Sequence, residues 1–398
     1  MTAADTPDVR ERMAVKETRL GEVVRIDVNG LGARLPPDVD AEDVPRAWSG
    51  AQSEAICETL AEVASGYGGD FNSFGEWTVI HGAGYDLADI RVRRLARFGE
   101  GYRSAITTLP WIDPESRWSA RVQATAYIPR APGLNFEQVA VRPETVYDTE
   151  FLGLAPAVIS RFGGARVVYL SGVVAWTDEI ELLFTDDPHA QVRRVFEMIG
   201  AVFEELGGSR EDVVRLRPFT LNAEIAGIVR EEAERFWTGC VPPTMLIADG
   251  VDFWGEDGLF AEIQAMGVLG DGDLDVSHER LPPPKAGPDD ALVVRRARSR
   301  ERELIQAGEI RGRVGAGPGR EARQVVECIR EVMAGQGLSS ADVCSVVAYA
   351  GNRAAAEGFE AAVRDILPPE TLHLVPGLPM GEMDGRQLKV EFTAERFL

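Results

Sequence analysis

Arg166-Val-Val-Tyr-Leu-Ser-Gly-Val-Val174 decides how this chain of 398 residues is read. Its first half, Val167–Leu170, is apolar, β-branched and aromatic, which predicts a buried strand, and Ser171-Gly172 predicts a turn that ends it. Downstream, Pro188–Leu206 is amphipathic at helical spacing and stops on Gly207-Gly208. A strand over Asp212–Leu221, a helix over Ala223–Trp237 and strands over Pro243–Asp249 and Leu259–Gly267 follow. From Phe151 to Gly267 the predicted order is β-β-α-β-α-β-β, a span normal for one domain.

The same punctuation recurs. Leu206-Gly-Gly-Ser-Arg-Glu-Asp-Val-Val-Arg-Leu216 is matched by Gln336-Gly-Leu-Ser-Ser-Ala-Asp-Val-Cys-Ser-Val346, with Gly207 on Gly337 and Asp212 on Asp342. Earlier, Tyr67-Gly-Gly-Asp-Phe-Asn-Ser-Phe-Gly-Glu-Trp77 puts Gly68 and Ser73 in those places. Each glycine stands where a helix must end in a left-handed cap, and each Asp or Ser can bond the turn backbone before a strand. Leu170-Ser-Gly-Val-Val174 is echoed by Gln306-Ala-Gly-Glu-Ile310 and by Val28-Asn-Gly-Leu-Gly32. First helices are expected over Ala51–Ser65, Pro188–Leu206 and Arg320–Gln336, second helices over Asp86–Gly99, Ala223–Trp237 and Arg353–Leu367. Closing strands are expected over Trp118–Ile128, Leu259–Gly267 and Leu388–Ala394.

The fold class is therefore α+β, with three tandem units at 18–131, 139–268 and 290–398 and a Pro/Gly/Asp linker over Asp271–Asp290. Unit one diverges most, with an insert over Gly32–Ser49 and no clear second strand before its helix, so an unrelated α+β domain is its other reading.

Composition narrows the function classes. Forty-two Lys+Arg face 64 Asp+Glu, a net charge of −22 that repels polyanions and argues against nucleic acid as a partner. No apolar run approaches a membrane span and Met1–Leu20 lacks a signal-peptide core, so the expected location is cytoplasmic. The four cysteines show no CxxC spacing and no His or carboxylate cluster suggests a metal, so neither cofactor nor metal is expected. Gly312–Gly319 lacks the Lys-Ser/Thr of a phosphate loop and reads as a turn. Arg295–Arg302, with five arginines, reads as a solvated strand edge or hairpin, an anion-binding patch being the alternative. His81 and His373, in apolar strands, read as satisfied core or edge histidines.

Taken in order, Leu-Ser-Gly-Val-Val, Leu-Gly-Gly-Ser-Arg-Glu-Asp-Val-Val and Phe-Ala-Glu-Ile-Gln-Ala resemble the Rid family (YjgF, formerly endoribonuclease L-PSP), whose characterised members are imine deaminases. The resemblance implies a pseudotrimer within one chain, with sites in clefts between units and a small carboxylate-bearing substrate. It also implies an Arg that clamps the substrate carboxylate, from the fourth strand, and a Glu that orients water, from the last. Carried over residue by residue, Arg103 takes the Arg position in unit one, and Arg121 stands where that unit's Glu is expected. Glu262 in Phe260-Ala-Glu-Ile-Gln-Ala265 and Glu391 in Lys389-Val-Glu-Phe-Thr-Ala394 keep the Glu in units two and three, which lack the Arg. No unit carries both groups. Arg103 and Arg121 would suit a dicarboxylate if they shared one cleft. Two other readings follow: a chorismatase-like enzyme, since chorismatases resemble fused Rid units, with Glu262 as acid; and a degenerate scaffold that binds a metabolite or a partner.

Overall fold

The protein was analysed as a computed structural model, in which residues 8–35, 46–82, 104–110, 120–149, 152–251, 253, 256–271, 276–281, 292–313, 316–377 and 386–398 are described. They form three mixed sheets in succession along the chain. The first holds β1 (Ala14–Leu20), β2 (Val23–Leu31), β3 (Phe74–His81), β4 (Ala105–Pro110) and β5 (Ala120–Pro129), in the order β1-β2-β5-β3-β4. The second holds β6 (Glu137–Val141), β7 (Ala157–Phe162), β8 (Ala165–Val173), β9 (Val213–Thr220), β10 (Thr244–Met245), β11 (Ala248–Asp249) and β12 (Ala261–Gly270). Its order is β10-β9-β12-β8-β7-β6, with β11 also on β9. The third holds β13 (Ser277–Leu281), β14 (Val293–Arg298), β15 (Arg302–Ile310), β16 (Val343–Ala350), β17 (Leu372–Pro376) and β18 (Leu388–Phe397), in the order β13-β14-β15-β18-β16-β17.

One wiring underlies all three. A hairpin comes first, and the last strand inserts antiparallel between that hairpin and the third strand, which pairs in parallel with a fourth. The parallel pairs need a crossover, supplied by α3 (Ala223–Phe236) in the second sheet and α5 (Arg353–Val363) in the third. The helix expected over Asp86–Gly99 lies outside the described residues. The first helices, α1 (Arg46–Gly66), α2 (Pro188–Glu205) and α4 (Pro318–Gln336), bury one stripe each, such as Val192, Val195, Phe196, Ile199 and Phe203 on α2. Gly68, Gly207 and Gly337 all take positive φ at the helix stops. Asp70/Ser73, Ser209/Asp212 and Ser339/Asp342 then form the same side-chain-to-backbone box before β3, β9 and β16.

Several sequence expectations change. Ser171-Gly172 is not a turn: β8 runs through it to Val173, and its pairing with β12 jumps from Leu170 to Val173, one extra residue on β8. The bulge recurs at Asn29-Gly30 on β2 and at Gly308-Glu309 on β15. Ala307, not Gln306, therefore stands level with Leu170, and Glu309 takes the left-handed conformation (φ 55°) that Gly30 takes at φ 69°. Unit one has its second strand, β2, and the stretch read as a linker carries the edge strand β13 on β14. Arg295–Arg302 does form a hairpin, but it is not wholly solvated: Arg295 and Arg302 are buried.

Each sheet packs one face on its own helices, giving three separate apolar cores. Two further clusters draw on all three sheets. One joins Ala105 and Tyr127 to Tyr169, Val214 and Leu304; the other joins Ile80 and Leu109 to Phe219, Leu246, Tyr349 and Val375. The contacts between sheets run in a cycle. β4 meets the bulge of β8, where Ile106 N–H donates to Ser171 Oγ at 2.9 Å. β10 meets the bulge of β15, where a Cβ on Gly308 would lie 2.6 Å from the Met245 carbonyl oxygen. β17 meets the bulge of β2, where Gly30 N–H donates to His373 Nδ1 at 3.2 Å. Three head-to-tail contacts related in this way close a ring.

A closed ring uses up the surface through which single units associate. We therefore expect a monomer of 43.4 kDa by light scattering after size exclusion; a trimer of chains would mean that the ring is not closed within one chain.

Candidate functional site

The sheets present to one another a face that is polar and yet buried. Along β5, β12 and β18 every second residue belongs to its unit's core: Ala120, Val122 and Ala124; Ala261, Ile263 and Ala265; Leu388, Val390 and Phe392. The alternate residues point to the shared centre, as period-two geometry requires. Counting from the three boxes aligns β3, β9 and β16, and the pairings of the last strands then follow. Glu262 lies opposite Phe219, Arg121 opposite Ile80, and Lys389 opposite Tyr349. These three occupy one equivalent position. Glu391 stands two residues on, level with Gln123 and Gln264, so the motif match of Glu391 to Glu262 is out of register.

That position opens differently in each cleft. Between the second and third sheets, Lys389 is buried and donates to Asp249 and to the Ile247 carbonyl, both at 3.1 Å. Burial lowers its pKa, while Asp249 and Glu309 oppose the shift. Glu309 bridges Arg230 and Arg311, so ion pairs close this cleft. Between the third and first sheets, Arg121 donates through Nη1 to the Leu374 carbonyl.

Between the first and second sheets stands Glu262, 7% exposed on β12. No hydrogen bond or ion pair reaches its carboxyl from any described residue, and burial alone raises its pKa to about 8. The carboxyl lies over the β8 bulge, where a Cβ added to Gly172 would stand 1.6 Å from Oε1, so only glycine leaves room for it. Tyr147 frames the same place: its hydroxyl donates to the Gly172 carbonyl (3.3 Å) and accepts from Val174 N–H (3.1 Å). Burial raises the Tyr147 pKa, and the nearby Glu262 adds to the rise. Across the cleft is β4 of unit one, held by Ile106 and by Ser104, whose hydroxyl donates to the Phe74 carbonyl and whose own carbonyl accepts from Ala155 N–H. Arg103, which precedes Ser104, lies outside the described residues. The clefts of Glu262 and Arg121 are different ones.

Glu391 sits on the central axis and does not line a cleft. Arg217 donates to its two oxygens at 2.6 and 3.3 Å and also reaches Thr78 Oγ1 at 3.3 Å, so one guanidinium ties three units together. Burial pulls the Arg217 pKa down, but Glu391 and Glu76 outweigh it and hold the group firmly charged. His81 and His373 each have a backbone group beside Nδ1. His373 accepts from Gly30, and His81 Nδ1 lies 3.0 Å from the Gly82 carbonyl; burial lowers their pKa values to about 3 and about 4. Among the described residues no His/Cys/Asp/Glu group could hold a metal ion, and no helix is long and apolar enough to cross a membrane. Motif matching missed Tyr147, Lys389 and Arg217, and only the pairings of the last strands tell the Lys389 position from that of Glu391.

Residues 157–248, within the middle unit, match the family model described as Endoribonuclease L-PSP, the older name of the Rid family that the sequence resembles. The protein is thus an α+β chain of three tandem units with this wiring. Among solved structures, a chorismatase is 17% identical over 64% of this chain and 77% of its own, with a TM-score of 0.43. The RidA protein of the Antarctic bacterium Psychrobacter sp. PAMC 21119 is 22% identical over 32% of this chain and 98% of its own (TM-score 0.27). The Rid-family protein YyfA of Yersinia pestis is 19% identical over 34% and 100% (TM-score 0.27).

Two stability measurements check this geometry. Glu391→Gln leaves the Arg217 charge buried without its counter-ion and should lower unfolding free energy by about 3–5 kcal/mol, read by denaturant titration. Glu262→Gln should do the reverse. A carboxyl whose pKa rises on folding adds stability below its unfolded pKa and loses it as pH climbs through the folded value near 8. The glutamine variant should therefore match wild type near pH 4.5 and exceed it by a few kcal/mol, on the order of 2–4, at pH 8. A constant difference across that range would refute the raised pKa.

Proposed function

We propose that the cleft between units one and two is an acid–base site, in which Glu262, protonated at neutral pH, donates a proton to the methylene carbon of a small 2-substituted acrylate. The observation that carries this reading is a buried carboxyl bonded to no described residue, over the Gly172 bulge and against the neighbouring unit, where burial pushes its pKa up to about 8. A pKa close to the working pH suits a group that must both give and recover a proton. By resemblance, Arg103 holds the substrate carboxylate, a task for which a planar guanidinium is suited.

Glu262 protonates the CH2 carbon of CH2=C(X)–COO⁻, where X is an amino or alkoxy group. The C=C electron pair forms the new C–H bond, and the cation at C2 is stabilised by X as an iminium or oxocarbenium ion. Water adds to C2 and gives up a proton, which restores Glu262. Ammonia or an alcohol then leaves, and a 2-keto acid remains. With X amino the reaction is enamine/imine hydrolysis; with X alkoxy it is enol-ether hydrolysis of the kind the chorismatase resemblance suggests. Both begin with the same proton transfer.

The test is keto-acid and ammonia release from 2-aminoacrylate generated in situ, and pyruvate release from chorismate. With Glu262 as acid, kcat/KM holds below pH 8 and falls tenfold per unit above it, and Glu262→Gln lowers it by about 10²–10⁴. Activity that rises through pH 8 would instead assign the carboxylate form as a base. Silence of the wild type on both substrates would favour a binding scaffold.

A further inference from the structure

The cleft between the third and first sheets holds an open cavity of about 310 Å³, at the lower end of small-molecule sites. Its walls carry five arginines. Arg12, Arg34 and Arg121 come from the N-terminal part of the chain that builds the first sheet, while Arg353 and Arg364 come from α5 and its C-cap. Among the described residues the acidic ones on its lining are Glu357 and Glu360, which pair with Arg353 (2.7 Å) and Arg364 (2.6 Å). The described lining is therefore net positive by three charges, five arginines against two glutamates, with Glu11 beside it 3.6 Å from Arg34, in a chain whose net charge is −22. No described residue pairs with Arg12. The floor, formed by Gly30, Leu372 and Leu374, is apolar or backbone.

Nothing on this lining resembles the acid of the Glu262 cleft. The register position that holds Glu262 there holds Arg121 here. Arg121 Nη1 donates to the Leu374 carbonyl, which fixes the guanidinium at the mouth of β17. His373, on the same strand, is kept neutral by burial and engaged with Gly30, so it supplies neither charge nor a mobile proton. A concave surface with several forked donors, whose described carboxylates are both paired with arginines, suits binding without chemistry. Guanidinium groups spread over two walls match a ligand with separated negative charges better than one carboxylate. At physiological ionic strength the Debye length of about 8 Å screens the distant acidic surface, while arginines that touch a ligand act unscreened.

We propose that this cavity is a binding site for a small ligand with two or more anionic groups, a polycarboxylate or a phosphorylated metabolite, and that it works separately from the Glu262 cleft. The site does not depend on the reading of Glu262 as an acid. Citrate and pyrophosphate serve as probes in calorimetric titrations of the full chain, with acetate as the single-charge control. Wild type should bind one of them with a Kd below about 1 mM, weakening with added NaCl, and acetate should not bind. Arg12→Gln and Arg121→Gln should each weaken binding about tenfold or more, the loss expected for a charge-assisted contact. Arg12 is exposed, so its variant tests the site without endangering the fold. Glu262→Gln should bind as wild type does. Binding of neither probe at 10-fold this concentration, or full affinity in Arg12→Gln, would overturn the proposal, as would loss of binding in Glu262→Gln.

Discussion

Three polar sheet faces are buried against one another, and the rest of the molecule follows from making that burial tolerable. Charged groups taken out of water must be paired and hydrogen-bonded. Here the partners come from different units. Arg217 of the second sheet meets Glu391 of the third and Thr78 of the first. Arg215 of the second meets Glu76 of the first. Arg25 of the first meets Asp27 beside it and Glu395 of the third, which also receives Arg302 and the Tyr127 hydroxyl. No unit could satisfy these groups alone. Such pairs are poor sources of net stability, but they discriminate strongly against wrong neighbours, because any misplaced unit strands a buried charge.

Joining the units in one chain frees their clefts from being identical. The consequence is concentrated at a single register position on the last strand: Glu262, Lys389 and Arg121. In one cleft the residue is a carboxyl bonded to no described neighbour. In the next it is a buried lysine paired with Asp249. In the third it is an arginine beside an arginine-lined cavity. A homotrimer would repeat one solution three times; this ring holds three different ones.

Much of the architecture was legible in the sequence because it is written in local punctuation. Gly68, Gly207 and Gly337 end helices where a left-handed cap is needed, and the Asp or Ser five residues on closes a box before a strand. The Ser171-Gly172 bulge was misread as a turn because both features use the same residues, and only the pairing of β8 with β12 separates them. Glu391 was placed by motif likeness, but Lys389-Val-Glu and Ala261-Glu-Ile differ by two residues in register, and a shift of two keeps the alternation intact. Periodicity alone therefore cannot reveal it. Nor could sequence show that the polar face of each closing strand is buried, since that depends on the other two units.

Among the described residues that line the clefts, Glu262 is a carboxyl without a counter-ion, held protonated by burial. Carbon-13 NMR of the protein labelled at glutamate carboxyls, recorded from pH 4 to pH 10 beside Glu262→Gln, tests this directly. One resonance, missing in the variant, should titrate near pH 8. A Glu262 resonance that titrates below pH 5, in the ordinary carboxylate range, would contradict it.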